Sequence, residues 1–221
     1  MRLPPPRTHS NVSLEECLLR RRSIREYSIK GLTINELSQI LWAAQGITDS
    51  VRGFRVAPSA GATYPLEIYV VVGEGSVLIN GTTYLRAGIY KYDVMRHSLK
   101  LVKVGDLRRE LAKAALNQRW VAEAPVDIVI TAVYERTTKR YGERGVRYVH
   151  MEVGHVGQNI YLQATALGLG TVVVGAFMDE DVEKIINAQD NEKALYIVPL
   201  GVAKTIHKLS IDELKRFYIA N

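Results

Sequence analysis

Residues 58–72 read Pro58-Ser59-Ala60-Gly61-Ala62-Thr63-Tyr64-Pro65-Leu66-Glu67-Ile68-Tyr69-Val70-Val71-Val72. The first eight are small or turn-forming, and the next seven form an apolar, β-branched run. A loop that lets backbone approach a ligand closely therefore feeds a buried strand. Downstream, turn signals at Asn80-Gly81 and from Asp93 to His97 alternate with short β-prone runs over residues 75–104, which predicts hairpins. Residues 126–133 read as a second core strand, and strands are also expected at 171–174 and near 195–200. Helices are expected from the capping boxes Ser13-Leu14-Glu15-Glu16 and Thr33-Ile34-Asn35-Glu36, the second continued by Leu37, Leu41 and Ala44 at helical spacing. Asp106 is expected to cap a helix reaching about Asn117, and Asp179 to open a short one. The clearest helix spans 149–167, with Val153, Val156, Ile160, Ala164 and Leu167 on one face and Gly168-Leu169-Gly170 stopping it. Helices and strands mixed with hairpins predict an α+β fold in one domain over 1–221.

With 221 residues, 47% hydrophobic and 24% charged, the chain can bury roughly 70% of its unfolded surface, which excludes disordered, collagen-like and disulfide-scaffold classes. No apolar run approaches the ~20 residues of a membrane span. The proline-rich start, Met1 to Pro6, does not resemble a secretory signal, so a cytoplasmic protein is expected. The single cysteine, Cys17, rules out an internal disulfide and a cysteine-based zinc cluster, and its neighbours Leu14 and Leu18 suggest a buried thiol. Charge is 29 − 23 = +6, which favours anionic partners such as nucleotides, phosphorylated cofactors, nucleic acid or acidic peptides.

His150-x-Glu152-x-x-His155 looks like a zinc motif, but five residues turn a helix by about 500° and leave the imidazoles about 140° apart. No metal is expected. Gly168-x-Gly170 follows a helix and precedes a strand, the reverse of a dinucleotide fingerprint. No P-loop, nucleophile elbow or Ser/His/Asp order is present. The densest basic cluster, Arg20-Arg21-Arg22-Ser23-Ile24-Arg25, lies at a helix end, where guanidinium forks and a hydroxyl suit phosphate. From residue types alone it reads as a solvated helix end, a nucleotide-phosphate site or a nucleic-acid contact.

Taken in order, Arg21-Arg22-Ser23-Ile24-Arg25, the 58–65 stretch, and Ala166-Leu167-Gly168-Leu169-Gly170 through Gly175 resemble the FMN-dependent nitroreductase family across nearly the whole chain. Glu135-Arg136-Thr137, Tyr141-Gly142-Glu143-Arg144-Gly145-Val146-Arg147-Tyr148 and residues 152–163 are similar to its branch of azole-forming (thiazole/oxazole) peptide dehydrogenases. The resemblance implies a nitroreductase-like α+β fold, with a central, mostly antiparallel sheet flanked by helices. It also implies a homodimer with FMN at the subunit interface. Arg21, Arg22, Ser23 and Arg25 would then contact FMN, the first three near phosphate and ribityl. Arg25 would lie at the pyrimidine edge, where a cation favours the negative charge of the reduced ring. Pro58, Ser59, Ala60, Gly61 and Ala62 would line the cofactor of the partner subunit, and Ala62 stands where the family usually has asparagine. Val174, Gly175 and Ala176 would pack near N5, with Asn117 and Gln118 as polar contacts. Lys204 and Lys208 are candidates for the phosphate, against the reading of ordinary surface lysines.

Peptide azoline dehydrogenases use a Lys-Tyr pair to remove a substrate proton. Tyr141 and Lys139 are the candidates here, although Arg140 occupies the apparent lysine position and arginine, with a pKa above about 12, is a poor base. The other reading is that Tyr141 and Arg144 order the loop. The resulting expectation is an oxidoreductase moving hydride between NADH or NADPH, flavin N5 and a small-molecule, quinone- or nitro-type acceptor. The alternatives are a peptide (azoline-type) dehydrogenase and a non-catalytic flavin-binding protein. A nucleic-acid module would need aromatic residues interleaved with its cations, and none lies within residues 20–25.

Overall fold

The computed structural model describes residues 1–207 and 209–220. Leu66–Val72 is one of the two middle strands of a six-stranded antiparallel sheet. The spatial order is Leu169–Thr171, Lys193–Val202, Val126–Ala132, Leu66–Val72, Gly88–Asp93 and Ser98–Val104. Every residue of Val126–Ala132 and all but Glu67 of Leu66–Val72 are buried. Burial on both faces explains why these segments read as continuous apolar runs rather than alternations. One face (Leu66, Ile68, Val70, Ile128, Ile130) shares a core with the helices Ile34–Gln45 and Arg144–Leu167. The other (Tyr69, Val71, Val129, Ile197) packs on Arg108–Ala114, Arg119–Glu123 and Asp179–Ile186. Two hairpins form as expected: Val77–Asn80 with Thr83–Tyr84, turning at Gly81 (φ 47°), and Gly88–Asp93 with Ser98–Val104.

Thr33 makes the full capping box, its Oγ1 accepting from Glu36 N at 3.2 Å and Glu36 accepting from Thr33 N at 2.7 Å. At Ser13 the cap is the single bond from Glu16 N, at 3.1 Å, opening Leu14–Arg20. Cys17 is buried in that helix.

Four expectations need correction. Asp106 is not the N-cap residue, a position Leu107 takes, but its Oδ1 accepts from Arg108 N at 3.3 Å while its carboxylate also pairs with the Arg108 guanidinium at 2.6 Å. That helix ends before Asn117 because Leu116 and Asn117 take left-handed backbone (φ 57° and 59°), and a separate helix, Arg119–Glu123, follows. The long helix begins at Arg144, five residues before its apolar stripe, since Arg144, Val146 and Arg147 are exposed. The strand expected at 171–174 is Leu169–Thr171, with Val174 making only an isolated bridge to Ile197. Helices Glu135–Tyr141 and Ile211–Ala220 are additional. Among the described residues no helix is long and apolar enough to cross a membrane.

Candidate cofactor site

The arginine segment leaves helix Leu14–Arg20 and runs along the edge of the sheet. Ile24 N donates to Thr171 O at 2.9 Å and Ser28 N to Val202 O at 2.9 Å. The close approach needs Gly170, where a Cβ would lie 2.6 Å from Ile24 Cγ2. Pinned in this way, the segment projects its polar side chains over neighbouring elements. Arg21 lies 5.3 Å over the Tyr161 ring and Arg25 lies 5.1 Å over the Trp120 ring. Ser23 Oγ is 2.9 Å from the Tyr161 hydroxyl, which also accepts from Val173 N at 2.9 Å. Gln118 Nε2 donates to Ala176 O at 2.8 Å and to Ala115 O at 2.9 Å. Ser23 is thus joined through Tyr161 to Val173, and Gln118 to Ala176, with Gly175 and Ala176 exposed and small. A guanidinium stacked on a ring keeps its in-plane N–H edge free to bind an anion.

Other residues singled out from the sequence stand differently. Arg22 is turned back on its own helix, donating to Leu19 O (3.2 Å) and Arg21 O (2.7 Å) and meeting His207 Nε2 at 3.0 Å. Asn117 is exposed at the turn, with its backbone N–H bonded to Ala112 O. Lys204 is exposed, 3.9 Å from the Glu26 carboxylate. Lys208 lies outside the described residues.

The Pro58–Ala62 stretch forms a second region. Gly61, Ala62 and Tyr64 have left-handed backbone (φ 60°, 54° and 45°), which costs a non-glycine residue about 1–2 kcal/mol. The turn lies against helix Glu135–Tyr141. Gly61 O accepts from Arg140 Nη1 at 3.3 Å, and Thr63 Oγ1 is 2.8 Å from Thr137 Oγ1. A Cβ at Gly61 would sit 2.5 Å from the Tyr141 hydroxyl and 2.9 Å from Arg140 Nη1, so glycine lets both side chains lie this close to the turn. Tyr141 stacks edge-on against Tyr148, with ring centroids 5.2 Å apart, and Arg140 lies 5.5 Å over it. Lys139 is exposed, and two residues on a helix are about 200° apart, so Lys139 and Tyr141 do not share a face. Among the described residues, the loop's hydrogen bonds reach this helix and none reaches residues 21–25.

Sequence reading missed Tyr161 and Trp120. It looked for aromatic residues adjacent in sequence to the arginines, whereas the fold brings these two from the long helix and from Arg119–Glu123. Trp120 following the polar pair Asn117-Gln118 was the only available signal. His150, from the rejected zinc spacing, meets the Tyr134 hydroxyl at 2.6 Å, and Glu152 is buried beneath the loop.

The sequence profile of the nitroreductase family matches residues 18–202. MJ1384 of Methanocaldococcus jannaschii, a protein assigned to the nitroreductases, is 52% identical over 190 residues, covering 86% of this chain and 91% of that protein. The Microcin B17-processing protein McbC of Escherichia coli is 26% identical over 170 residues, covering 76% of this chain and 61% of McbC. A crystal structure from Ralstonia eutropha JMP134, described as a nitroreductase, superposes with a TM-score of 0.78 at 28% identity, covering 93% of this chain and 90% of its own. The antiparallel sheet with helices on both faces is the fold these structures share, and the chain belongs to the nitroreductase family.

Proposed function

We propose that this protein is an FMN-dependent oxidoreductase. It would act as a cytoplasmic homodimer and move hydride between NADH or NADPH and a small-molecule, quinone- or nitro-type acceptor. The observation that carries this reading is that Arg21 and Ser23 share Tyr161, which also binds Val173, while Arg25 rests on Trp120, two residues from the Gln118 that binds Ala176 beside exposed Gly175. Cations and a hydroxyl at one end and a flat, small-residue floor at the other fit an elongated phosphate ester that carries a planar ring. FMN, when bound, supplies hydride transfer at N5.

The protein's own residues bind and orient. Arg21 and Ser23 hold the phosphate and ribityl, with Tyr161 fixing Ser23 relative to Val173. Arg25, steadied by Trp120, presents positive charge to the pyrimidine edge. Gln118 fixes Ala176 so that the floor stays level. The Pro58–Ala62 loop, which among the described residues makes no hydrogen bond to residues 21–25 of its own chain, would line the cofactor of the partner subunit. Arg22, committed to Leu19, Arg21 and His207, would contribute long-range charge rather than a direct contact.

A second reading, oxidation of a peptide substrate, is favoured by the similarity to McbC, a protein named for processing Microcin B17. Tyr141, seated against the Pro58–Ala62 loop, would then face the substrate. One experiment separates these readings: add FMN to the purified protein, desalt, record the absorbance spectrum, and titrate anaerobically with NADH and NADPH. A retained flavin band that bleaches supports the reductase. A retained band that stays oxidised points to the peptide dehydrogenase or to a non-catalytic flavin-binding protein. A folded protein that retains no flavin contradicts both.

A further inference from the structure

Beneath the Pro58–Ala62 loop lies a closed ring of side chains that the proposed chemistry does not use. Glu152, on the long helix, is 3% exposed, and Gln45, at the end of helix Ile34–Gln45, is fully buried. Gln45 Nε2 donates to Glu152 Oε1 at 3.4 Å, while Gln45 Oε1 accepts from Arg55 Nη1 at 3.1 Å. Arg55 stacks on the Tyr64 ring at 4.5 Å, and its backbone N donates to the Tyr64 hydroxyl at 3.1 Å. Tyr64 N donates to Ser59 Oγ at 2.9 Å, and the Ser59 side chain lies by Glu152, whose pKa burial raises while Ser59 and Gln45 oppose the rise.

The bonds have a direction. Arg55 donates to Gln45, Gln45 donates to Glu152, and Tyr64 donates to Ser59. The Gln45 arm ends on Glu152 Oε1 as its acceptor, with Ser59 of the loop beside the same carboxyl. The charges of Glu67 and, less strongly, Glu152 bear on half-buried Arg55, whose Nε is buried without a partner. The loop held by this ring is the one with left-handed backbone at Gly61, Ala62 and Tyr64, a shape its sequence would not adopt unaided.

We propose that Glu152 is a positioning residue. Accepting from Gln45, and joined through Gln45, Arg55 and Tyr64 to Ser59, it fixes the Pro58–Ala62 loop in its left-handed conformation. The extension to the cofactor, that this sets the surface the loop offers to flavin, rests on the reading above.

Hydrogen exchange in the flavin-free protein tests the proposal without reference to catalysis. Glu152→Ala and Ser59→Ala are expected to raise exchange of the 59–64 amides at least tenfold. Glu152→Gln, which keeps an acceptor oxygen, should raise it less than threefold, and amides 21–25 should stay at the parent rate throughout. Ser59 lies at the loop end of the ring, so Ser59→Ala carries the test if Glu152→Ala does not fold. Parent-level exchange at 59–64 in Ser59→Ala, or equal effects of Glu152→Gln and Glu152→Ala, would overturn the proposal. FMN affinity is then measured on the same variants. Faster loop exchange with a tenfold weaker affinity supports both the proposal and the placement of the loop on the cofactor. Faster exchange with unchanged affinity upholds the role of Glu152 and contradicts that placement.

Discussion

Arginine stands at the centre of both regions described above, with opposite arrangements. Arg55 is half-buried and connected on several sides, to Gln45, to the Tyr64 ring and, through Gln45, to Glu152. Arg21 and Arg25 rest on aromatic rings and, among the described residues, form no ion pair with a carboxylate, whereas neighbouring Arg20 pairs with Glu16 at 2.7 Å. A cation compensated inside the fold supports a backbone shape. A cation held in place by a ring but left without a countercharge is available to an anion from outside. On the proposed reading, the difference marks the 21–25 segment as the one that would bind the anion and the contacts around Arg55 as those that hold the loop's shape.

The strongest way to break this comparison is to remove the uncompensated charge. Arg21→Ala combined with Arg25→Ala is expected to weaken FMN binding about 100-fold or more, at about 1.5–3 kcal/mol per charge-assisted hydrogen bond. The melting temperature should stay close to that of the parent, because neither arginine closes an internal ion pair. Fluorescence titration and thermal unfolding together check this. Gly170→Ala acts on the scaffold beneath the arginines. The new Cβ would meet Ile24, so a destabilisation of about 1–3 kcal/mol is expected in urea unfolding, accompanied by weaker FMN binding. Tyr161→Phe removes the hydroxyl that joins Ser23 to Val173 N and should cost about 1 kcal/mol, or roughly fivefold in FMN affinity.

The smallest effect at acidic pH concerns Asp127, a fully buried carboxylate with no hydrogen-bond partner on either oxygen, whose charge bears on Tyr27 at the root of the arginine segment. Burial raises its pKa well above the usual carboxylate range, with the Arg108 charge opposing. The folded protein therefore keeps a proton that the unfolded chain releases. This contribution to stability is full below about pH 4, the unfolded value, and is lost as pH rises toward the folded one. Asp127→Asn should match the parent near pH 4 and become progressively more stable than it as pH rises, read from urea midpoints across that range.

The two middle strands were legible because burial on both faces writes a continuous apolar run into the sequence. The 149–167 stripe was legible because one face of the helix meets the core, but the turn from Arg144 carries exposed, charged residues and no stripe. Helix Glu135–Tyr141 was invisible for the same reason, with Thr137 its one buried residue. The break at Leu116-Asn117 carried no glycine to announce left-handed backbone. In the site, the arginines and the small-residue loop were legible as local clusters. Tyr161, Trp120 and the Glu152 ring were not, since each acts on residues more than 30 positions away and only the fold joins them.

The most direct test of the central claim, that the uncompensated Arg21 and Arg25 receive the phosphate and ring of FMN, is an equilibrium fluorescence titration of the parent protein with FMN and with riboflavin, which lacks the phosphate. FMN is expected to bind at least tenfold more tightly, and the preference should shrink in Arg21→Ala. Equal affinity for the two flavins, or a preference that Arg21→Ala leaves intact, would contradict it.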